Sequence, residues 1–196
     1  MKIKKGCYGY IDTNKKNSMI KGLGGLAVIV IIYVLGIIIT KTRLNWFTFS
    51  SVLCALPVGK MLVNMIIAFP HKSMEKGAYH KINEKEVGVT ILYDLIITSD
   101  ENIMQIDSIV IKGNTICAYT CDEKLNEDTT VKYIKNILVN NGCSTSIKIF
   151  KNLDAYLTRI EEIKNNFDSE GKSDTTKERD KNKEAKIVAT LIAICI

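Results

Sequence analysis

Between residues 22 and 40 the chain carries no charged side chain and no proline. A helix needs about 18–20 apolar residues to cross roughly 30 Å of hydrocarbon. In lipid, such a segment can satisfy its own backbone hydrogen bonds only as a helix. No small-residue cleavage site follows this run before a second apolar run begins at Phe47, so an uncleaved anchor is expected rather than a removable secretory leader. Beyond the second run there is no basic excess. From Lys72 to Asn165, twelve basic side chains face fourteen acidic ones, a net of −2. That excludes the electropositive footprint of a nucleic-acid binder. The overall charge of +6 is therefore unevenly placed. Lys2, Lys4, Lys5, Lys15, Lys16 and Lys21 precede the first apolar run against Asp12 alone, a distribution that favours anionic headgroups.

The two runs, residues 22–40 and 47–69, read as a transmembrane helical hairpin with spans of about 22–40 and 45–66. The connection carries Lys41 and Arg43, and Trp46 and Phe47 suit an interfacial belt. Pro57, Gly59, Lys60 and Asn64 interrupt the second run. A lysine at mid-bilayer costs roughly 2.5–3.5 kcal/mol on insertion scales. One reading makes Lys60 an intramembrane site. The preferred one bends the helix at Pro57 and Gly59, lets Lys60 reach the headgroups, and lays residues 61–69 in the interface or on the soluble domain. The lysine distribution predicts that both flanks are cytoplasmic and the short connection is outside.

The remainder predicts a small α/β domain over residues 73–167, in the order α-β-β-β-α-β-α. Residues 73–86 carry Met74, Ala78 and Ile82 at helical spacing, with Ser73 as the cap. Residues 87–98, 103–112 and 115–120 read as three strands of an antiparallel meander, with Gly113–Asn114 as a tight turn. Residues 129–141 form a helix stopped by Gly142, residues 144–150 a fourth strand, and residues 152–167 an amphipathic helix. Residues 168–186 are charged and read as a polar linker, disordered at least in the first half. Residues 187–196 are apolar but too short to span a bilayer. They are expected to form a C-terminal helix on the domain or at the interface, with a final strand as the lesser option.

The order of elements over residues 73–167 resembles the core of the PD-(D/E)xK nuclease-like fold. In that family an Asp on the second strand and an Asp/Glu-x-Lys on the third hold a divalent metal, which activates water. Asp107 stands where the resemblance puts the first aspartate. The third strand departs from the pattern, since Thr120-Cys121-Asp122 replaces the acid-x-lysine and Lys124 lies beyond it. The layout also resembles a group of uncharacterised small bacterial two-span membrane proteins, some labelled O-linked N-acetylglucosamine transferase-like. The chain has neither the helical repeats nor the nucleotide-sugar motif for that chemistry.

Other chemistry finds little support. The six cysteines include Cys54 in an apolar run and Cys195 near residue 196, which argues against a disulfide framework and for reduced, mostly buried thiols. Cys117-x₃-Cys121 is one pair where a structural zinc site takes four ligands. Cys143, His71 and His80 are possible additions that no spacing fixes together. No catalytic residue is assigned, Asp107 and Asp122 being the candidates, and no metal or cofactor is expected. Asp107 is expected to be a strand-face residue bonded to a neighbour. The expected role is a membrane-anchored cytosolic interaction or scaffold domain without catalytic activity, partnered by the bilayer and a cytosolic protein rather than nucleic acid. The alternative is a membrane-tethered, metal-dependent nuclease-like hydrolase with a degenerate site.

Overall fold

The computed structural model describes residues 3–42, 45–99, 102–169 and 174–195. Two compact units divide the chain. Ile11–Lys72 forms one, and Met1–Tyr10 joins Ser73–Ile196 in the other.

The first unit holds two helices, α1 (Tyr10–Thr40) and α2 (Trp46–Ala68), both long and apolar enough to cross a membrane. Only 11% of the most apolar window of each is buried. Leu26, Ile31, Ile38, Val52, Leu56 and Ile66 all stand exposed. The helices run antiparallel and touch through glycines. A Cβ on Gly22 would come within 3.0 Å of Leu62, one on Gly25 within 2.7 Å of Val58, and one on Gly36 within 2.6 Å of Phe47. The turn is held by Asn45, whose Oδ1 caps α2 by accepting from the Thr48 N–H at 2.9 Å. Its amide donates to Thr40 Oγ1 at 2.8 Å and to the Thr42 carbonyl at 2.9 Å.

Two expectations for this region are corrected. Helix α1 begins at Tyr10, so the helix expected over about 22–40 starts twelve residues earlier. Lysine, asparagine and isoleucine are all compatible with continuing a helix that the apolar run nucleates. Helix α2 runs on through Pro57 to Ala68, so residues 61–68 continue the same helix rather than starting a separate segment. Proline removes one N–H from the ladder but does not end a helix that is held on both sides of it.

The second unit is a four-stranded mixed sheet with helices on both faces, in the predicted order. The strands β1 (Thr90–Thr98), β2 (Ile103–Lys112) and β3 (Thr115–Tyr119) form the antiparallel meander, and β4 (Ser146–Phe150) adds parallel to β3. Helices α3 (Lys76–Asn83) and α5 (Leu153–Ser169) contribute to the core on one face, with Ile82, Tyr156, Ile160 and Ile163 packed against Tyr93, Val110 and Tyr119. Helices α4 (Glu127–Asn140) and α6 (Asp174–Ile194) contribute to the other, with Ile134, Leu138, Ile187 and Leu191 against Ile97, Ile106, Ile109 and Ile116. Burying one such side chain stabilises by roughly 1.5–3 kcal/mol.

Local chemistry explains the boundaries. Asn126 Oδ1 accepts from the Thr129 N–H at the start of α4, with Glu127 and Asp128 in its first turn. The end of α4 is a Schellman motif. Gly142 sits at φ +73°, its N–H bonds Val139, and the Cys143 N–H bonds Leu138. Asn152 Oδ1 accepts from the N–H groups of Asp154 and Ala155 to start α5.

Three further expectations are corrected. Helix α3 starts after Glu75, and Ser73 lies outside it, donating to the Asp94 carboxylate instead of capping. Strand β1 starts at Thr90 because Gly88 turns the chain at φ +86°. The charged stretch read as a linker is largely α6, helical from Asp174, while residues 170–173 lie outside the described residues. Glu184 gives that polar half an anchor, accepting from the Gly113 N–H at 2.7 Å and from Thr90 Oγ1 at 3.2 Å. Ile187, Leu191 and Cys195 are buried in the core, so the apolar end of α6 docks on the domain, and Cys195 makes one antiparallel bridge to Ile97.

Two tyrosines in the α5-side core make a paired test. Tyr156 is fully buried and shares a 2.9 Å hydrogen bond with Ser108 Oγ, whereas the buried Tyr93 hydroxyl has no partner among the described residues. Removing one partner of a buried bond costs about 1–3 kcal/mol, and removing an unpaired hydroxyl does not. Tyr156→Phe is therefore expected to lower the urea midpoint of the full chain in detergent, and Tyr93→Phe to leave it unchanged or raise it.

Candidate functional site

Strands alternate their side chains with period two, yet β1 and β2 both break step at one rung. Leu92 and Leu95, three residues apart, lie in the same core, and so do Ile106 and Ile109. Tyr93 pairs with Ser108 and Leu95 with Ile106, so Asp94 and Asp107 stand at the intervening rung. Asp94 has φ +53°, a left-handed conformation that Asp tolerates better than most residues. The slip is bulge-like, and it brings two carboxylates, each 1% exposed, into the interior.

The Asp94 carboxylate is the meeting point of distant segments. Oδ2 accepts from the Gly9 N–H at 2.6 Å and Oδ1 from the Met74 N–H at 3.1 Å, with a third bond from the Ser73 side chain. Gly9 immediately precedes α1, and Met74 follows α2. Burial raises the Asp94 pKa above the usual carboxylate value, the three donors oppose that shift, and the charge of Asp107 adds to it.

Residues 3–9 are accordingly part of the domain. Gly6 accepts from the Tyr93 N–H at 2.9 Å, and its φ of +84° and the 3.0 Å approach of Leu92 to a Cβ suit only glycine. Tyr8 stacks on Tyr79 with centroids 4.0 Å apart, and Lys5 Nζ donates to the Cys195 carbonyl at 2.7 Å. In the sequence this segment stands out for the lysines that precede the first apolar run. The one local hint was the Gly6–Gly9 spacing, which marks two positive-φ positions.

Asp107 and Asp122, the two residues singled out from the sequence, point into different environments. Asp107 Oδ1 accepts from Gln105 Nε2 at 2.7 Å and Oδ2 from the Cys121 N–H at 2.6 Å, so it is the neighbour-bonded strand residue expected of it. Asp122 Oδ1 accepts from the Lys124 N–H at 2.9 Å within its own loop, while its N–H donates to Thr120 Oγ1. Neither carboxylate oxygen of Asp107 is left without a donor. Among the described residues no three His, Cys, Asp or Glu side chains come together to hold a metal ion.

The thiols are free and spread apart. Cys117 lies in the α5-side core, and Cys143 and Cys195 lie in the α6-side core. Burial raises the Cys117 pKa despite the nearby Arg159 and Lys148, and burial pushes Cys195 up to about 12. Cys121 meets the Tyr119 hydroxyl at 3.1 Å; desolvation raises its thiol pKa, that hydrogen bond opposes the shift, and the Asp107 charge adds to it. The upward shifts of Cys117, Cys121 and Cys195 run opposite to the depressed pKa of an activated nucleophile. His80 is exposed beside Tyr79, with ring centroids 5.6 Å apart.

Asp94 yields two measurable consequences. Asn keeps the left-handed backbone accessible but cannot accept from every donor, so Asp94→Asn is expected to cost about 1–3 kcal/mol by denaturant unfolding. Asp94→Ala is expected to cost about 1–2 kcal/mol more, from the added backbone strain. The raised pKa fixes the pH dependence. The folded state holds this proton more tightly than the unfolded chain, so acidification from the folded value towards about 3.9 favours folding at this group. The wild-type advantage over Asp94→Asn is expected to widen as pH falls through that window and to be smallest above it.

Comparison with known proteins finds no matching family model, no similar curated protein and no similar solved structure, so the chemistry of these residues carries the functional reading.

Proposed function

We propose that this chain is a two-span membrane protein whose α/β domain works at the cytoplasmic face as an interaction or scaffold module. The observation that carries the reading is the open apolar surface of α1 and α2, which is far larger than a monomer keeps in water and matches what lipid would cover. The three bonds at Asp94 support a juxtamembrane role, because they fix the points where the chain leaves and re-enters the domain. The cytoplasmic side is supported by lysines concentrated on the flanks of the hairpin and by six free thiols. The interaction role rests on acidic side chains of the domain that are committed to structural bonds, as the buried Asp94 and Asp107 and the half-buried Glu184 are.

A degenerate nuclease-like hydrolase is the second reading, favoured by the element order and by the opposed Asp94 and Asp107 carboxylates in the sheet.

Two experiments on the full chain test these readings. After expression, carbonate extraction is expected to leave the protein in the membrane pellet; recovery in the supernatant would end the membrane reading. In a Cys54→Ser, Cys121→Ser background, exposed Cys7 is expected to resist an impermeant maleimide on intact cells and to react after permeabilisation. Labelling of intact cells would reverse the topology. For the hydrolase reading, Mn²⁺ should raise the melting temperature and support nucleic-acid cleavage that Asp107→Ala abolishes; absence of both removes it.

A further inference from the structure

The hairpin unit contains one acid, Asp12, and its lysines are not evenly spread. Lys15, Lys16 and Lys21 lie on α1, and Lys60 on α2. The helix contacts set their relative levels. Gly22 faces Leu62, Gly25 faces Val58 and Gly36 faces Phe47, while Lys15 Nζ lies 5.7 Å from the centroid of the Phe69 ring. In this register Lys60 stands within about one helical turn of Lys21 along the hairpin axis. Lys15 and Lys16 lie about 8 Å further from the turn at about 1.5 Å per residue. Lys16, Lys21 and Lys60 are exposed, and among the described residues none of the four lysines makes an ion pair.

The distances match a bilayer. From Gly22 to Thr40 helix α1 is about 28 Å long, close to the roughly 30 Å of the hydrocarbon core. That puts Lys21 and Lys60 together at one edge, with Lys15 and Lys16 in the headgroup layer beyond. Lys60, whose depth the sequence left open, then has no need to be buried in hydrocarbon, since its four-carbon stem reaches the phosphate level. Exposed Val63, Ile66 and Phe69, past Lys60 on α2, supply the apolar half of an interfacial surface.

We infer that Lys15, Lys16, Lys21 and Lys60 form a collar that binds anionic phospholipid headgroups and fixes the depth of the hairpin. The inference rests on the membrane reading above. Its occupant follows from charge: four cations without ion-pair partners, on two helices at adjoining levels, against a single acid in the unit. The sequence gives the turn end only Lys41 and Arg43, so the collar also makes the two leaflets unequal for this protein.

The test uses the full chain in phosphatidylcholine vesicles containing phosphatidylglycerol. Spin-labelled forms of the two lipids report which one occupies the protein's lipid shell, and carbonate extraction of the same vesicles reports integration. The wild type is expected to prefer phosphatidylglycerol by about fivefold or more, with the preference shrinking at high salt. A K15Q/K16Q/K21Q/K60Q variant should stay in the pellet and lose the preference, and the four-fold Lys→Arg variant should keep it. An unchanged preference in the Gln variant, still carbonate-resistant, overturns the collar. So does a crosslinked dimer abolished by the Gln variant while the lipid preference stays, which would give the surface to a second copy. Wild-type protein in the supernatant instead overturns the membrane reading on which the collar rests.

Discussion

One carboxylate sets the arrangement of the domain. Asp94 sits where β1 breaks step, in a backbone conformation most residues avoid, and it ties residues 9, 73 and 74 to one point. Burying a charged group is costly unless donors surround it. Three donors do so here, two of them backbone N–H groups that cannot be supplied by substituting a side chain. The cost of burial and the geometry of the donors therefore fix each other. Without the slip at Asp94 the carboxylate would not meet its donors, and without the donors it would have no reason to remain in the interior.

The second carboxylate illustrates how geometry constrains chemistry. Asp107 resides at the same rung, yet its oxygens bond Gln105 and the Cys121 backbone, bracing the end of β3 against β2. Thr120 extends the same brace, donating to the Gln105 carbonyl at 2.8 Å while its N–H bonds Phe150 of β4. This short stretch, which carries the departure from the nuclease-like motif, is thus a joint across three strands. Any metal entering here would have to displace bonds that already satisfy both carboxylates.

Much of this architecture was legible because its signals are local. The apolar runs, the Gly113–Asn114 turn and the Gly142 stop are decided within a few residues, and the elements they delimit lie close to where they were expected. What was missed depends on distant partners. Asp94 reads as one polar residue in a β-branched strand, because nothing nearby reveals that its acceptors serve Gly9 and Met74. Ser73 looked like a helix cap for the same reason. The polar half of α6 has no apolar periodicity to announce it, and its anchor, Glu184, is matched to a turn 71 residues away. At Pro57 a local rule was followed too closely, and the helix continues to Ala68 where the rule suggested a separate segment. In the site, the sequence identified Asp107 but paired it with Asp122, at the third-strand position of the nuclease-like motif, rather than with Asp94, which no motif announces and which meets Asp107 only across the sheet.

The bond between Gly9 and Asp94 spans 85 residues, and the one between Lys5 and Cys195 spans 190. During synthesis, at about 5–20 residues per second, residues 5–9 must wait several seconds for β1, and longer for residue 195. Both apolar helices are complete before either partner exists. The hairpin can therefore be delivered to its destination while the amino-terminal segment is still unattached, and the domain closes over that segment only afterwards.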